Sequence, residues 1–465
     1  MPVVYAFILL AVTAAAPSPR ALPSSASVFF APRIDRLSGT ASFFGPAGAS
    51  SAVLRPEAWR DALHPLGFDA LRPESVKAVG IDPAGPLTLS QRTDVDVSCV
   101  SVADAAVYQR AMEARLQRLG TLRRTTKNGV VTVAAVDALG RVVLASVTKG
   151  RDSCAVVAHG ATAEPHLVPV AALLGPTPVA VPALKPVRTL PGTFFLALTS
   201  GTPNGVLGVT TQGPTATAHV QAIGLPLAAM EGPGTSPFAA FSPAGLGVVR
   251  LRLARASLAP MVDASLAKLP LTPALRVAAT TLAPALTGNV ALFIHRVQVT
   301  GTLRTAEGRF SAVRAAVVAE VADAALAKQL VDGLDAQALG FRGGTLRTGV
   351  TGTTVVLAND VAAYDAAVAA LGAAPRRQAH AVEFDVQPQA LARGLSQVPL
   401  LDAVQDPALA GVLAAGTELG PLLLASERLV GWLDAAGAAG HRAELTWRLR
   451  SSSAVPDGGV DSPRE

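Results

Sequence analysis

Residues 442–450 alternate strictly, with Ala443, Leu445, Trp447 and Leu449 on one side and Arg442, Glu444, Thr446, Arg448 and Arg450 on the other. That period of two predicts a strand with one buried face. Residues 382–386 repeat the pattern, Val382, Phe384 and Val386 alternating with Glu383 and Asp385. The period changes after residue 104. Val107, Tyr108, Ala111, Met112, Leu116 and Leu119 fall on one helical stripe, and Gln109, Arg110, Glu113 and Gln117 fall opposite. Asp104 is placed to cap that helix, because its carboxylate can accept from free first-turn amides, and Gly120 is placed to end it. Asn128-Gly129 then predicts a two-residue hairpin turn between strands 122–127 and 130–136. Leu139-Gly140 turns the chain into further strands at 142–147 and 154–158.

Parts of this pattern recur. Val102-Ala103-Asp104-Ala105-Ala106 returns as Val321-Ala322-Asp323-Ala324-Ala325, and Gly120-Thr121-Leu122-Arg123 returns as Gly344-Thr345-Leu346-Arg347. The second set predicts a strand at 313–321, a helix with Leu326, Leu330 and Leu334, a hairpin about Gly349 to Leu357, and a helix at 361–371. That last helix is expected to bury Val361, Tyr364, Val368 and Leu371. Three further strand–helix pairs begin at Ser27, Val248 and Val382. Strands, hairpins and helices in this order do not make a strict βαβ alternation, which disfavours Rossmann and TIM-barrel architectures. The expected fold class is α+β, in two related halves, each a mainly antiparallel mixed sheet with helices packed on one face. The expected boundaries are a signal peptide at 1–26, halves at 27–225 and 248–450, a Pro/Gly-rich linker at 226–247, and a disordered tail at 451–465.

The beginning of the chain points to export. Residues 3–16 are an apolar run of signal-peptide length, too short for a typical membrane-spanning helix of about 20 residues. Small residues suit cleavage after Ala15 or after Ala26, although no Lys or Arg precedes the run. No Cys follows to carry a lipid anchor, and later apolar stretches are broken by prolines or charges, so no transmembrane span is expected in the mature chain. Cys99 lies on a strand face with Val95 and Val97, and Cys154 on one with Val156. In an oxidising compartment these two cysteines are expected to form a disulfide between neighbouring strands. The expected location is periplasmic or secreted.

Composition narrows the partners more than the chemistry. Half of the 465 residues are hydrophobic, 4% are aromatic and 15% are charged, which predicts cores of small aliphatic side chains. The net charge of +6 is scattered; Arg123-Arg124 with Lys127, and Arg376-Arg377, are its densest spots. Neither is a long run set among stacking aromatics, so nucleic acid is not an expected partner. The basicity suits peripheral contact with an anionic envelope surface.

Candidate chemistry is sparse. His159, Glu164 and His166 could ligate zinc but lack HExxH spacing and a third histidine. Asp94 and Asp96 share a strand face without a calcium-loop pattern. There is no GxSxG elbow. Arg342-Gly343-Gly344-Thr345 lacks the endings of a phosphate loop. His295 sits among Phe293, Val297 and Val299 as a core histidine bonded to backbone would, and His64, His219, His380 and His441 have no companions in sequence. No catalytic, cofactor or metal residue is therefore assigned.

The export signal, the strand–helix opening, the turns Leu66-Gly67-Phe68-Asp69 and Gly80-Ile81-Asp82-Pro83, and the strand–Asp–helix units together resemble a family of uncharacterised secreted bacterial proteins with duplicated α+β domains. That resemblance implies export and a duplicated fold, and no activity. The expected function is non-enzymatic binding of an unknown protein or an apolar ligand. A lipid carrier and a secreted hydrolase with a dispersed active site are the alternatives.

Overall fold

The computed structural model describes residues 19–22, 25–40, 68–160, 162–175, 182–199, 204–223, 230–239, 245–266, 283–298, 303, 312–338, 346–371, 376–397, 423–435 and 440–450. The expected signal run, the Leu66-Gly67 turn, His64, much of the 226–247 linker, Gly344 and the 451–465 tail lie at least partly outside them.

The chain builds β1 (Ser27–Ala31), helix α1 (Pro73–Ala78), β2 (Leu87–Gln91), β3 (Val95–Ser101) and helix α2 (Ala105–Gln117). Four strands follow, β4 (Thr121–Lys127), β5 (Val130–Val136), β6 (Val142–Lys149) and β7 (Asp152–Ala158), then helix α3 (Glu164–Leu173). A 3-10 segment, Pro182–Arg188, leads to β8 (Phe194–Leu198), β9 (Asn204–Gln212) and β10 (Thr215–Ile223). After the short β11 (Gly234–Ser236) come β12 (Gly247–Arg252), helix α4 (Arg255–Leu266), β13 (Leu286–Val297), β14 (Val313–Val321) and helix α5 (Ala324–Ala338). The chain finishes with β15 (Arg347–Thr351), β16 (Thr354–Ala358), helix α6 (Val361–Ala370), β17 (Arg376–Gln378), β18 (Val382–Val386), helix α7 (Pro388–Leu395), β19 (Ser426–Ala435) and β20 (His441–Leu449).

Eighteen of these strands form one sheet. Its neighbours run β4-β5-β6-β7-β3-β2-β1-β8-β9-β10, then β20-β19-β18-β12-β13-β14-β16-β15, and every ladder is antiparallel. The small strands β11 and β17 pair separately. This corrects the expected fold class. The α+β arrangement of two halves, each with its own mixed sheet and helices on one face, is replaced by a single antiparallel sheet. The physical reason is the β10–β20 ladder, which runs from Thr215↔Arg448 to Ala222↔His441 and joins two edges that would otherwise expose unpaired backbone.

Helices also cover both faces of the sheet. On one face α1 and α2 bury Val76, Tyr108, Met112 and Leu116 against Leu87, Ala155 and Val133. On the opposite face α3 buries Val170 and Leu173 against Val97, Cys99, Cys154 and Val156. The outer strands need both covers because both their faces are apolar. Farther along, α4 and α5 bury Leu258, Ala327 and Val331 over Leu286 and Val355. On the reverse side α6 lays Ala363 and Ala367 on Phe293, Ala316 and Val356. The expected inner face of α6 is therefore shifted. Val361 and Val368 are 44% and 37% exposed, since the small alanines let the helix approach the sheet closely. Leu119, expected on the buried stripe of α2, is also exposed because it lies past the helix end.

Several local expectations hold to the residue. Asp104 accepts from the amides of Ala106 and Val107, both at 3.0 Å, and Asp323 accepts from that of Ala325 at 2.7 Å. Asn128 and Gly129 both take positive φ, 52° and 73°, as a tight turn between β4 and β5 requires. Cys99 and Cys154 are paired directly across β3 and β7 and are joined as a disulfide.

Candidate functional site

The strands at the β10–β20 seam differ from the rest of the sheet. Among the described residues no helix packs along β10 or β20. One side of the seam is apolar and half-buried, with the in-register row Leu207, Val220, Ala443 and Leu433 and its neighbours Ala218 and Leu445. Val209 beside them is buried, and Leu207 and Ala218 pack against the core around Ile34 and Leu37. The other side is polar. There His219 stands opposite Glu444, Glu444 opposite Trp432, Trp432 opposite Glu383, and Glu383 opposite Arg250. Close polar contacts stand at both ends of this row: His219 Nδ1 is 3.4 Å from Glu444 Oε2, and Arg250 Nη2 is 3.3 Å from Glu383 Oε2.

His380 sits over this polar face at the turn into β18. Its Nδ1 is 2.7 Å from Oδ2 of Asp434, and the other oxygen of Asp434 accepts from the Ala381 amide at 2.7 Å. Both carboxylate oxygens are therefore engaged. The imidazole lies flat on the Trp432 indole, with centroids 4.0 Å apart and planes 8° from parallel. Glu383 anchors the turn by accepting from the amides of Ala379 and His380, at 3.0 and 3.3 Å. With the carboxylate as acceptor Nδ1 carries the proton, and in that tautomer Nε2 holds a lone pair. Such a ring can take a proton from a hydroxyl or water, or offer a nitrogen to a ligand.

One strand along, Asp385 departs from the sequence expectation. Its place on the charged side of β18 predicted exposure, yet it is 6% exposed and accepts from both Nε (2.9 Å) and Nη2 of Arg428 on β19. That bond raises the pKa of the Arg428 guanidinium above its ordinary value.

The residues weighed for metal binding separate into pairs. His159 Nε2 meets Asp96 at 3.0 Å, His166 Nε2 meets Asp94 at 3.3 Å, and Asp94 also accepts from Arg92. Glu164 turns away to Arg123 at 2.7 Å. Among the described residues no three His, Cys, Asp or Glu side chains gather as metal ligands would. His295 has a buried Nδ1 without a hydrogen-bond partner, so the expected bond to backbone is absent. Arg376 and Arg377 belong to β17, where they pair with β11.

Asp434 and Trp432 escaped the sequence reading because 54 residues separate His380 from Asp434. The signal that could have found them is register: pairing 382–386 with the later strand at Val382↔Leu433 places Trp432 beside Glu383. No helix among the described residues is long and apolar enough to cross a membrane. No known protein family, curated protein or solved structure matches this chain.

Proposed function

We propose that this chain is exported and acts by binding a protein partner across the β10–β20 seam. The observation that carries the reading is the seam itself: among the described residues, Val220, Ala443, Leu445 and Leu433 form a half-buried apolar row in the middle of a large sheet, with no helix packed along β10 or β20. Half-buried apolar sheet surface gains further from association that removes its remaining water contact. The disulfide between Cys99 and Cys154 supports a periplasmic or secreted location, in keeping with the resemblance read from the turn motifs and strand–Asp–helix units. The net positive charge suits loose contact with an anionic envelope.

Within this reading, signal removal ends upstream of Arg20. Arg20 Nη2 donates to Asp152 at 2.7 Å, its amide donates to Thr88 at 3.2 Å, and Ala21 and Leu22 are buried in the core. Cleavage after Ala15 keeps these contacts, whereas cleavage after Ala26 discards them. Native and then denaturing mass spectrometry of the protein from its own host tests both claims. We expect a chain beginning at Ala16 and a partner mass that dissociates on denaturation and is lost in Val220→Lys. A bare chain under native conditions, or a partner retained by Val220→Lys, overturns the binding surface.

A second reading, a secreted hydrolase, is favoured by the His380–Asp434 pair on Trp432. Its test is turnover of a panel of ester and amide substrates that vanishes in His380→Ala. The carrier reading has less support, since the cleft beside α2 measures about 160 Å³ against roughly 300–1,000 Å³ for ordinary small-molecule sites.

A further inference from the structure

Two hairpin turns stand side by side at one end of the sheet. Asn128-Gly129 joins β4 to β5, and Gly150-Arg151 joins β6 to β7. The strands between them, β5 and β6, are paired at Val131↔Thr148, just inside both turns. Glycine sets each reversal, with φ +73° at Gly129 and +58° at Gly150. A Cβ at either glycine would meet no atom within 4 Å, so both tips project into open space.

The tips are basic. Lys127 and Arg151 are exposed and Lys149 is half-buried, and among the described residues none of the three makes an ion pair or a side-chain hydrogen bond. The carboxylates beside them are already engaged. Asp152 stands directly across from Lys149, yet it is held by Arg20 at 2.7 Å and accepts from the Ser101 hydroxyl at 3.3 Å. The Val102 amide donates to the Arg151 carbonyl at 2.6 Å, and Asp104, two residues on, is turned to cap α2. No aspartate or glutamate occurs at 114–136 or at 138–151.

Spacing decides what these cations fit. Lys127 on β4 and Lys149 on β6 are two strands apart, with about 10 Å between their backbones. Separate tips in open space meet an array of negative charges better than one small anion. No Phe, Trp or Tyr occurs at 119–158 to stack on a nucleic-acid base. We propose that the paired tips dock the protein on an anionic lipid surface, with Lys127, Lys149 and Arg151 among its phosphate headgroups. The proposal gives the loose envelope contact of the preceding reading a definite place and rests on that part of it. Vesicle binding needs no protein partner, so it succeeds or fails separately from the seam.

Co-sedimentation of the full mature protein with phosphatidylcholine vesicles containing about one-third phosphatidylglycerol, at about 25 mM salt, tests the proposal. The parent should bind, should bind several-fold less at about 150 mM salt, and should ignore vesicles of phosphatidylcholine alone. Each cation near such a surface strengthens partitioning by about fivefold. Lys127→Gln with Lys149→Gln and Arg151→Gln should therefore weaken binding at least about tenfold, and Arg151→Gln alone about fivefold. Lys77→Gln with Arg110→Gln and Arg118→Gln, at exposed cations of α1 and α2, changes the net charge equally and should cost less than about threefold. Urea midpoints equal to the parent's should show that each variant is folded. Equal losses in the two triple variants would leave the envelope contact standing but remove it from the tips. A parent that binds no anionic vesicles overturns both. Binding of a single-stranded oligonucleotide that depends on the tips, without binding of vesicles, would assign them to nucleic acid and overturn the lipid surface.

Discussion

The Arg20 guanidinium reaches Oδ2 of Asp152 at 2.7 Å, fastening the segment before β1 to the first residue of β7 across 132 positions of sequence. The same carboxylate accepts from the Ser101 hydroxyl at 3.3 Å, so it ties together three separate segments. Just beyond Arg20, Leu22 is 3% exposed in the core that also holds Cys99 and Cys154. A chain beginning at Ser27 should therefore be less stable than one beginning at Ala16 by about 2–4 kcal/mol, mostly through the lost burial of Leu22. Urea unfolding of the two chains measures the difference. Equal midpoints would show that residues 20–22 are dispensable.

The disulfide closes a loop with a sequence separation of 55. In the chain-entropy account a crosslink of that span stabilises by about 4 kcal/mol, and less where the unfolded chain retains structure. Cys99→Ala with Cys154→Ala should lower the urea midpoint accordingly. Dithiothreitol should shift the parent protein and leave the double variant unchanged.

Tyr108 is 2% exposed, and burial raises its pKa above the usual phenol value, with hydrogen bonds involving Ser153 and Ser146 pulling the other way. The folded state thus holds the proton more tightly than the unfolded chain. The resulting stability is complete below the unfolded pKa of about 10 and is lost as pH rises from there through the higher folded value. Tyr108→Phe should cost about 1 kcal/mol at neutral pH, because it removes a buried hydroxyl partner of Ser153. It should also flatten the alkaline fall in stability. Denaturant melts at neutral pH and at alkaline pH, with the parent and variant side by side, check both effects.

The register of α6 can be tested by a pair of substitutions one residue apart. Ala367→Leu inserts volume between the helix and the sheet and should destabilise by about 1–3 kcal/mol. Val368→Ser, on the exposed side, should stay within about 0.5 kcal/mol of the parent. The reverse ranking in thermal melts would restore the inner face expected from the sequence.

These cases show where sequence pattern informs and where it stops. The strand Val313–Val321, the caps Asp104 and Asp323, and the Asn128-Gly129 turn depend on neighbours within a few residues, and each was legible. In α6 almost every position is alanine or valine, so periodicity could not tell the close-packing alanines from the outward valines. Strands β9 and β10 went unread because glycine, threonine and alanine give them little alternation. Their absence hid the seam and with it the single sheet. His380, Asp434 and Trp432 meet only through the pairing of β18 with β19, a relation of distant segments that no local motif records.

Among the described residues the sheet has its open edges at β4 and β15, the two ends of its strand order. An unpaired strand edge invites a neighbouring molecule to add its own strand, and long flat edges seed fibrils. β4 carries Arg123, Arg124 and Lys127, its outer positions are exposed, and the two arginines are held in place by Glu164 and Glu113. Stacking a second β4 alongside would bring these cations together. The basic cluster that raised the question of a polyanion partner thus occupies an edge position where charged side chains disfavour the addition of another strand.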